Sequence, residues 1–423
     1  MRRRLGASLG VGVLAASALA PSLATAAGFD TPILYSARHQ AMGGTAIAYV
    51  DDPSAGFHNP AGLQGVDGLG LFGDFSLILG KVRATPVTNA DGEDNLESDT
   101  VTAPFFLLGA AYRVKPWLTV GLAGFPVASG GAQYRYEVNG AAQIDSTEIV
   151  FFEVTPMLSL NVPKDALLPG RLAIGAGYRA NIVTFERLKG PEANPTGLNL
   201  DLSGASFSGF RVGMQYQPIE PLKLGVVFRN KVVVTAEADT ATAFTLPARD
   251  ASLDFTLPAK VGFGIRADGS RLGVATDVEL AFQSQNERPP LRGKLNDSDT
   301  VANIPNVFDW EDGITWRLGF EYRFGRAKEW PIRIGYIFDS IVTNPSFPSA
   351  FGTPPAPTRT FTAGLGYVRD TWQVNLAASR RFGQTRVHPE DLPPGVCSFC
   401  GYAGQYEITM TGFYLDASVD LPL

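Results

Sequence analysis

The chain has 423 residues, of which 45% are hydrophobic and 18% charged, and its formal net charge is −6. This balance excludes a disordered chain, and an acidic chain without a basic block is a poor partner for nucleic acid. The 46 glycines and 30 prolines favour many strands and turns over long helices.

The first 26 residues have the pattern of a secretory signal peptide. Three arginines precede an apolar run over 5–20, and residues 24–26 supply the small side chains of a cleavage site. We predict cleavage after Ala26. No later segment approaches the eighteen consecutive apolar residues of a transmembrane helix. We therefore expect a protein exported by the Sec route without a helical anchor.

Residues 27–68 differ from the remainder of the chain. They are rich in small residues and carry Gly43-Gly44, Asp51-Asp52-Pro53 and Asn59-Pro60-Ala61-Gly62, without sustained period-two alternation. We predict that 27–68 form a separate N-terminal unit and that residues 69–423 form the main domain.

From residue 69 onward, candidate strands follow at regular intervals. They cover 69–80, 104–113, 117–128, 148–160, 171–184, 202–217, 221–237, 254–266, 271–285, 313–324, 330–341, 359–368, 371–383 and 404–421. This gives an even number of strands, about 14. Short connections alternate with long polar ones, such as 129–147 and 185–201. This rhythm is typical of outer-membrane barrels, which have short periplasmic turns and long extracellular loops.

The residues of 314–324 alternate strictly between an apolar and a polar face. Charged side chains such as Arg317, Glu321 and Arg323 stand on one face, and the other is apolar and aromatic: Ile314, Trp316, Leu318, Phe320, Tyr322 and Phe324. A strand that turns its apolar face to lipid and its charges inward belongs to a membrane barrel. The sequence therefore predicts an all-β transmembrane antiparallel β-barrel.

Several motifs resemble metal-binding or catalytic patterns but lack the further residues that such sites need. Cys397 and Cys400 form a C-x-x-C with only His388 nearby, too few ligands for zinc, and we predict a disulfide in an extracellular loop. His39 and His58 belong to no recognisable catalytic or metal pattern, so an outer-membrane lipase has no support. We predict no enzymatic activity, no metal and no cofactor.

The mature chain resembles the FadL/TodX family of outer-membrane transporters for long-chain fatty acids and hydrocarbons. The similarity rests on the order and spacing of segments at 27–29, 51–63 ("DDPSAGFHNPAGL"), 255–265, 316–324, 331–339 and 359–368. One departure is the final residue, Leu423, where many outer-membrane strands end on an aromatic. The resemblance implies a barrel in the outer membrane of a Gram-negative bacterium, plugged by a small helical or irregular N-terminal hatch, residues 27–68.

The resemblance also implies roles for the hatch. Phe29 and Phe57 would contact the bound ligand, although both residues could simply pack the plug. Asn59, Pro60 and Ala61 match the family motif that anchors the hatch, and the same residues are typical of a local turn. We do not expect Asn59 to bind ligand directly.

The third strand contains Gly124, Phe125 and Pro126. Proline cannot donate to a ladder, and strand glycines mark bends or bulges. Relatives have an inward kink in this strand, which implies a lateral opening in the wall for ligand exit. The alternative is that Pro126 lies at the extracellular end of the strand and terminates it.

The function implied is passive, ligand-gated uptake of hydrophobic molecules, with long-chain fatty acids as the default ligand. Uptake of aromatic or alkane hydrocarbons is an alternative, and a surface receptor or adhesin with a permanently plugged barrel is another. Besides the ligand, the expected partner is outer-membrane lipid, and we expect a monomer. The lumen charges Arg317, Glu321, Arg323 and Arg333 would pair with one another or meet a carboxylate head group.

Overall fold

The computed structural model of the chain describes residues 34–84, 96–296, 298–344, 355–388, 390 and 404–422. Across these residues, fourteen antiparallel strands form a closed barrel whose first and last strands pair over Leu69–Arg83 and Glu407–Leu421. Closure pairs the first strand with the last, so neither leaves an open sheet edge in the membrane. The predicted all-β barrel of about 14 strands is confirmed. The predicted signal peptide, residues 1–26, lies outside the described residues.

The barrel strands have the following bounds. They are β1 Leu69–Ala84, β2 Val101–Lys115, β3 Leu118–Val138, β4 Ala141–Val162, β5 Arg171–Pro191, β6 Leu198–Ile219, β7 in two parts (Leu222–Arg229 and Val232–Ala243), β8 in two parts (Leu246–Leu257 and Lys260–Asp268), β9 Leu272–Ala281, β10 Gly313–Phe324, β11 Trp330–Asp339, β12 Thr358–Arg369, β13 Trp372–Val387 and β14 Gly404–Leu421. Short strands at Leu96–Glu97, Leu291–Leu295 and Val301–Ile304 add to the wall.

Helical structure in the described residues is brief. It consists of α1 (Ala37–Ala41) and 3-10 turns at Pro53–Gly56, Pro60–Gly65 and Gln283–Gln285. None of these helices is long and apolar enough to cross a membrane.

The alternation predicted for β10 is confirmed by burial. Trp316 and Phe320 are exposed on the outer surface, whereas Arg317 and Glu321 are buried inside the barrel. The connections between β2 and β3, β6 and β7, and β12 and β13 each contain two residues, so this end of the barrel has the short turns of a periplasmic side.

The opposite end differs from the sequence prediction. Residues 129–147 were expected to be a long loop, but β3 continues to Val138 and β4 begins at Ala141. Asn139 and Gly140 form the turn, both with positive φ. Asn-Gly is a strong two-residue hairpin signal, and residues 132–138 before it alternate between apolar and polar side chains. The long-loop prediction was wrong here because it gave the polar composition of 129–147 more weight than these two signals.

Residues 34–68, which we call the inner segment, lie inside the barrel. Their backbone amides bond to opposite sides of the wall: Arg38 N donates to Asp416 Oδ2 (2.9 Å), and Ala46 N donates to Asp277 Oδ2 (2.8 Å). Tyr35, Met42 and most of their neighbours are fully buried. The inner segment therefore fills the cross-section of the lumen near the periplasmic end.

Wall glycines allow this segment to touch the strands directly. A Cβ built on Gly335 would overlap Gly43 N, and one on Gly213 would overlap Asn59 Oδ1. Inward glycines in contact with the inner segment occur on ten of the fourteen strands, and we call this set the glycine ring: Gly70, Gly109, Gly121, Gly175, Gly213, Gly225, Gly262, Gly264, Gly319, Gly335 and Gly364. A side chain at any of these positions would push the segment away from the wall.

We expect Gly335→Ala to loosen the inner segment without unfolding the barrel. Overpacking of this kind costs about 1–3 kcal/mol, so amide exchange in the segment should accelerate by roughly tenfold or more. Hydrogen–deuterium exchange measures this, with heat-modifiable gel mobility as the check on the barrel. Gly73→Ala is the control because its Cβ would meet only Leu108 Cδ2, at 3.7 Å. Equal exchange in the two variants would contradict the glycine contact.

Candidate functional site

The lumen on the extracellular side of the inner segment is lined by apolar side chains. Inward side chains of β4, β5 and β8 pack around Phe255, whose ring centroid lies 4.8 Å from that of Phe185 and 6.4 Å from that of Phe151. These rings belong to a continuous buried cluster that also includes Val183, Leu202, Val234, Leu257, Phe308 and Trp310. We call it the apolar lumen cluster. It offers a dry surface to a hydrophobic ligand.

Three rings join the inner segment to the third strand. The Phe57 ring lies 5.1 Å from that of Tyr35 and 5.5 Å from that of Phe125, and Tyr35 and Phe125 are 5.9 Å apart. Tyr35 Oη donates to the carbonyl of Pro126 at 2.7 Å. Two of the predicted site residues, Phe57 and Phe125, therefore meet at the floor of the apolar lumen cluster. Phe29 lies outside the described residues, as do Cys397 and Cys400.

The pairing of β3 with β2 stops at the predicted kink. The ladder runs from the Lys115–Leu118 pair to the Leu108–Gly124 pair and continues no further among the described residues. Beyond Gly124, β3 pairs only with β4, and a bulge lies between Pro126 and Ala128. Pro126 does not end the strand, which continues to Val138.

No ladder pairing joins residues 101–107 of β2 to residues 125–132 of β3, and we call this unpaired stretch of the described wall the wall gap. A bond from Asp99 N to Gln133 O (2.8 Å) bounds it on the extracellular side. Buried side chains of the apolar lumen cluster line its rim: Phe105, Leu107, Phe125 and Val127. The hydrocarbon surface of the lumen therefore extends to the gap.

A group of buried cations lies at the base of the apolar lumen cluster. Glu153 accepts from Arg179 at 2.7 Å and from Arg211 at 3.1 Å. On the neighbouring strands, Glu279 pairs with three further cations: Arg229 (3.0 Å), Arg317 (3.4 Å) and Lys260 (3.6 Å). We call the five basic residues the cationic cluster.

Donors of the cationic cluster exceed the acceptors that face it. Arg211 Nε and Nη1, Arg229 Nε and Arg317 Nε are buried without a hydrogen-bond partner in the described residues. The third nearby carboxylate, Asp277, accepts from Ala46 N and Ile47 N of the inner segment through Oδ2, and its Oδ1 has no hydrogen-bond partner among the described residues. The Arg229 guanidinium lies 5.5 Å from the centroid of the Phe57 ring, so the cationic cluster directly borders the apolar lumen cluster.

Asn59 holds the inner segment to the wall. Its Oδ1 accepts from Ala61 N at 3.1 Å, and its Nδ2 donates to Ile47 O (2.8 Å), Met214 O (3.1 Å) and Val226 O (3.3 Å). The side chain thus bridges two parts of the inner segment and strands β6 and β7. Pro60 follows as the first residue of a 3-10 turn.

The periplasmic mouth beneath the inner segment is polar. A cavity of about 340 Å³ opens there, lined by residues that include Arg38, Asp51, Asp52 and Glu321. Burial alone would raise the pKa of Asp51, but the Arg38 guanidinium, 2.5 Å away, holds that pKa below its usual value. Burial and the charge of Asp51 raise the pKa of Asp52 to about 7.

The ion pairs expected in the lumen are present at this mouth. Glu321 pairs with Arg323 (2.7 Å), Arg333 (2.7 Å) and Arg266 (2.8 Å). Arg317 instead belongs to the cationic cluster through Glu279.

Sequence reasoning did not find Tyr35 or the group of Glu153, Arg179 and Arg211. The latter three residues occupy inward positions on three consecutive strands, and the pairing register of these strands brings them together. A charged residue beside apolar inward neighbours, such as Glu153 near Phe151, is the signal that could have identified them.

The sequence matches the model of the outer membrane protein transport protein family (OMPP1/FadL/TodX) over residues 17–391. The chain belongs to this family of outer-membrane transporters of hydrophobic molecules. Comparison with curated proteins gives no match.

Solved structures share the fold at low sequence identity. A Pseudomonas aeruginosa FadL homologue has 15% identity and a TM-score of 0.73, covering 93% of this chain and 100% of its own. The Pseudomonas putida toluene transporter TodX has 18% identity and a TM-score of 0.66, covering 92% and 98%. The Ralstonia pickettii toluene transporter TbuX has 16% identity and a TM-score of 0.65, with the same coverage. These likenesses establish the barrel architecture.

We expect Glu153→Gln to destabilise the barrel because it leaves Arg179 and Arg211 buried without their carboxylate. Breaking a buried ion pair from one side costs about 3–5 kcal/mol in the free energy of unfolding. Urea unfolding in lipid vesicles measures this loss. Glu97→Gln, which removes the exposed ion-pair partner of Lys81, is the control and should leave the urea midpoint unchanged. Equal stability of the two variants would refute the buried network.

Proposed function

We propose that this protein is a passive, ligand-gated channel for long-chain fatty acids. The ligand's acyl chain would lie in the apolar lumen cluster and its carboxylate against the cationic cluster. Burial of each methylene favours such a site by about 0.8 kcal/mol. The observation that supports an acid most directly is the set of unpartnered donors on Arg211, Arg229 and Arg317. A carboxylate supplies the missing acceptors, whereas a hydrocarbon leaves these donors unsatisfied.

The inner segment, together with residues 27–33, is proposed to act as the hatch. Phe57 would contact the ligand directly, and Phe29 would do so from the N-terminal end. Because Phe57 packs on both Tyr35 and Phe125, displacement of its ring by an acyl chain would loosen the bond between Tyr35 and Pro126. Ligand binding and opening toward β3 would thereby be coupled.

The proposed exit is lateral, through the wall gap at Gly124, Phe125 and Pro126. An axial route would take the acyl chain past the glycine ring and through the ion pairs of Glu321, where each apolar group would displace paired charges. The rim of the wall gap is apolar and offers no such barrier. A ligand leaving there would enter the outer membrane directly.

Uptake of aromatic hydrocarbons is the second candidate. It is supported by the fold shared with the toluene transporters TodX and TbuX. A receptor or adhesin with a permanently plugged barrel would make no use of the wall gap or of the unpartnered donor atoms on the buried arginines. The two candidate ligands differ in their head group: a fatty acid carries a carboxylate, and a hydrocarbon does not. Binding that depends on the carboxylate therefore distinguishes the two uptake functions.

We expect Arg229→Gln to weaken binding of oleic acid while leaving binding of methyl oleate nearly unchanged. Loss of one charged hydrogen bond costs about 1.5–3 kcal/mol, equivalent to roughly a 10- to 100-fold rise in Kd. Glu279 keeps its ion pairs with Arg317 and Lys260 in this variant, so we expect the barrel wall to remain folded. Isothermal titration with the protein in detergent gives both constants.

Arg323→Gln is the matched control for that experiment, because Glu321 keeps Arg266 and Arg333. The control should bind oleic acid as the unmodified protein does. Equal affinity of the unmodified protein for the acid, its ester and toluene, with no effect of Arg229→Gln, would favour the hydrocarbon candidate.

We expect the double variant Gly124→Val, Pro126→Val to bind oleic acid normally. Cells that carry this variant should nevertheless take up no fatty acid. The substitutions would restore regular pairing between β2 and β3 and close the wall gap. Uptake of radiolabelled oleic acid by a deletion strain carrying each variant measures the effect, with gel mobility to verify assembly. Pro156→Val is the control, because Pro156 lies on β4, which pairs with the edge of β3 opposite the wall gap. Normal uptake by the double variant would exclude the lateral route.

A further inference from the structure

A polar cleft lies on the outer surface of the barrel, away from the lumen. It has a volume of about 450 Å³ and lies across β1, β13 and β14. Its basic side chains are Lys81, Arg83 and Arg380. They occupy outward positions, because their neighbours Val82 and Arg381 are buried inside the barrel.

The cleft begins where the lipid-facing rows end. On β1, the outward residues below Lys81 are apolar, including the exposed Phe75. On β14, Phe413 and Leu415 are exposed and apolar, and Thr411 and Thr409 follow toward the extracellular end. The pairing register places Thr409 beside Lys81 and Thr411 beside Arg380. The polar cleft therefore lies at the extracellular edge of the apolar band, at the level of lipid head groups.

Positive charge in the cleft is only partly neutralised. Lys81 and Arg83 share one carboxylate, Glu97, with Arg83 Nη2 3.4 Å from it. Arg380 Nη1 donates to Thr411 Oγ1 at 2.5 Å and forms no ion pair with a carboxylate among the described residues. The second acid of the cleft, Glu407, accepts from the Gln405 amide.

The chemistry of this arrangement matches a phosphate monoester. Exposed ion pairs contribute little, so an incoming anion can displace Glu97 from Lys81 and Arg83. Arginine guanidinium groups bind phosphate oxygens in a bidentate manner, and the hydroxyls of Thr409 and Thr411 can donate to the same group. Clustered cations at a membrane surface attract anionic head groups in this way.

We propose that the cleft binds the phosphate of a phosphorylated lipid in the outer leaflet, with its acyl chains along the apolar rows of β1 and β14. The exposed rows directly below the cleft favour a lipid over free phosphate, which would make no use of them. The site would bind a structural lipid from outside the barrel and is independent of the ligand in the lumen.

The test measures binding of bis-phosphorylated lipid A to the detergent-solubilised protein by native mass spectrometry. The triple variant Lys81→Gln, Arg83→Gln, Arg380→Gln should bind at least about tenfold more weakly. Lipid A with its phosphates removed enzymatically should bind the unmodified protein as weakly. Lys115→Gln, an exposed cation at the periplasmic end of β2, is the control and should bind normally. Heat-modifiable mobility verifies that each variant is folded.

Three results would overturn the proposal: equal binding of lipid A by the unmodified protein and the triple variant, equal binding of phosphorylated and dephosphorylated lipid A, or binding of inorganic phosphate as tightly as lipid A. The last result would assign the cleft to free phosphate.

Discussion

Direct backbone contact between the inner segment and the barrel wall determines how the lumen is divided. The contact requires glycine on the wall, as at Gly213 and Gly335, because any side chain there would occupy the position of the segment. Buried carboxylates on the wall then accept backbone amides of the segment, with Asp277 and Asp416 on different strands. Steric fit and hydrogen bonding together fix one position for the segment.

This position separates two chemically different spaces. On the extracellular side, the apolar lumen cluster reaches from Phe255 to Phe57 and ends on the cationic cluster. On the periplasmic side, ion pairs centred on Glu321 line a polar cavity. Within the described strands, the apolar surface continues out of the barrel at the wall gap, where β3 leaves β2. The proposed lateral route follows from this distribution of polarity.

Local patterns in the sequence predict the wall better than they predict the site. Alternation in β10 indicates which side chains face lipid, because the period of a strand is a local property. Pro126 likewise indicates an irregular strand. The cationic cluster is different, because Arg179 and Arg211 meet Glu153 only when neighbouring strands pair in register. The length of the wall gap also depends on pairing between strands.

The lateral route is the central claim, and photo-crosslinking tests it most directly. A long-chain fatty acid with a diazirine near the end of its chain would be added to cells that express the protein and irradiated during uptake. We expect crosslinks at the rim of the wall gap, on Phe105, Leu107 and Val127, identified by mass spectrometry of peptides. Crosslinks at the periplasmic mouth instead, on Arg38 or Asp51, would contradict the lateral route.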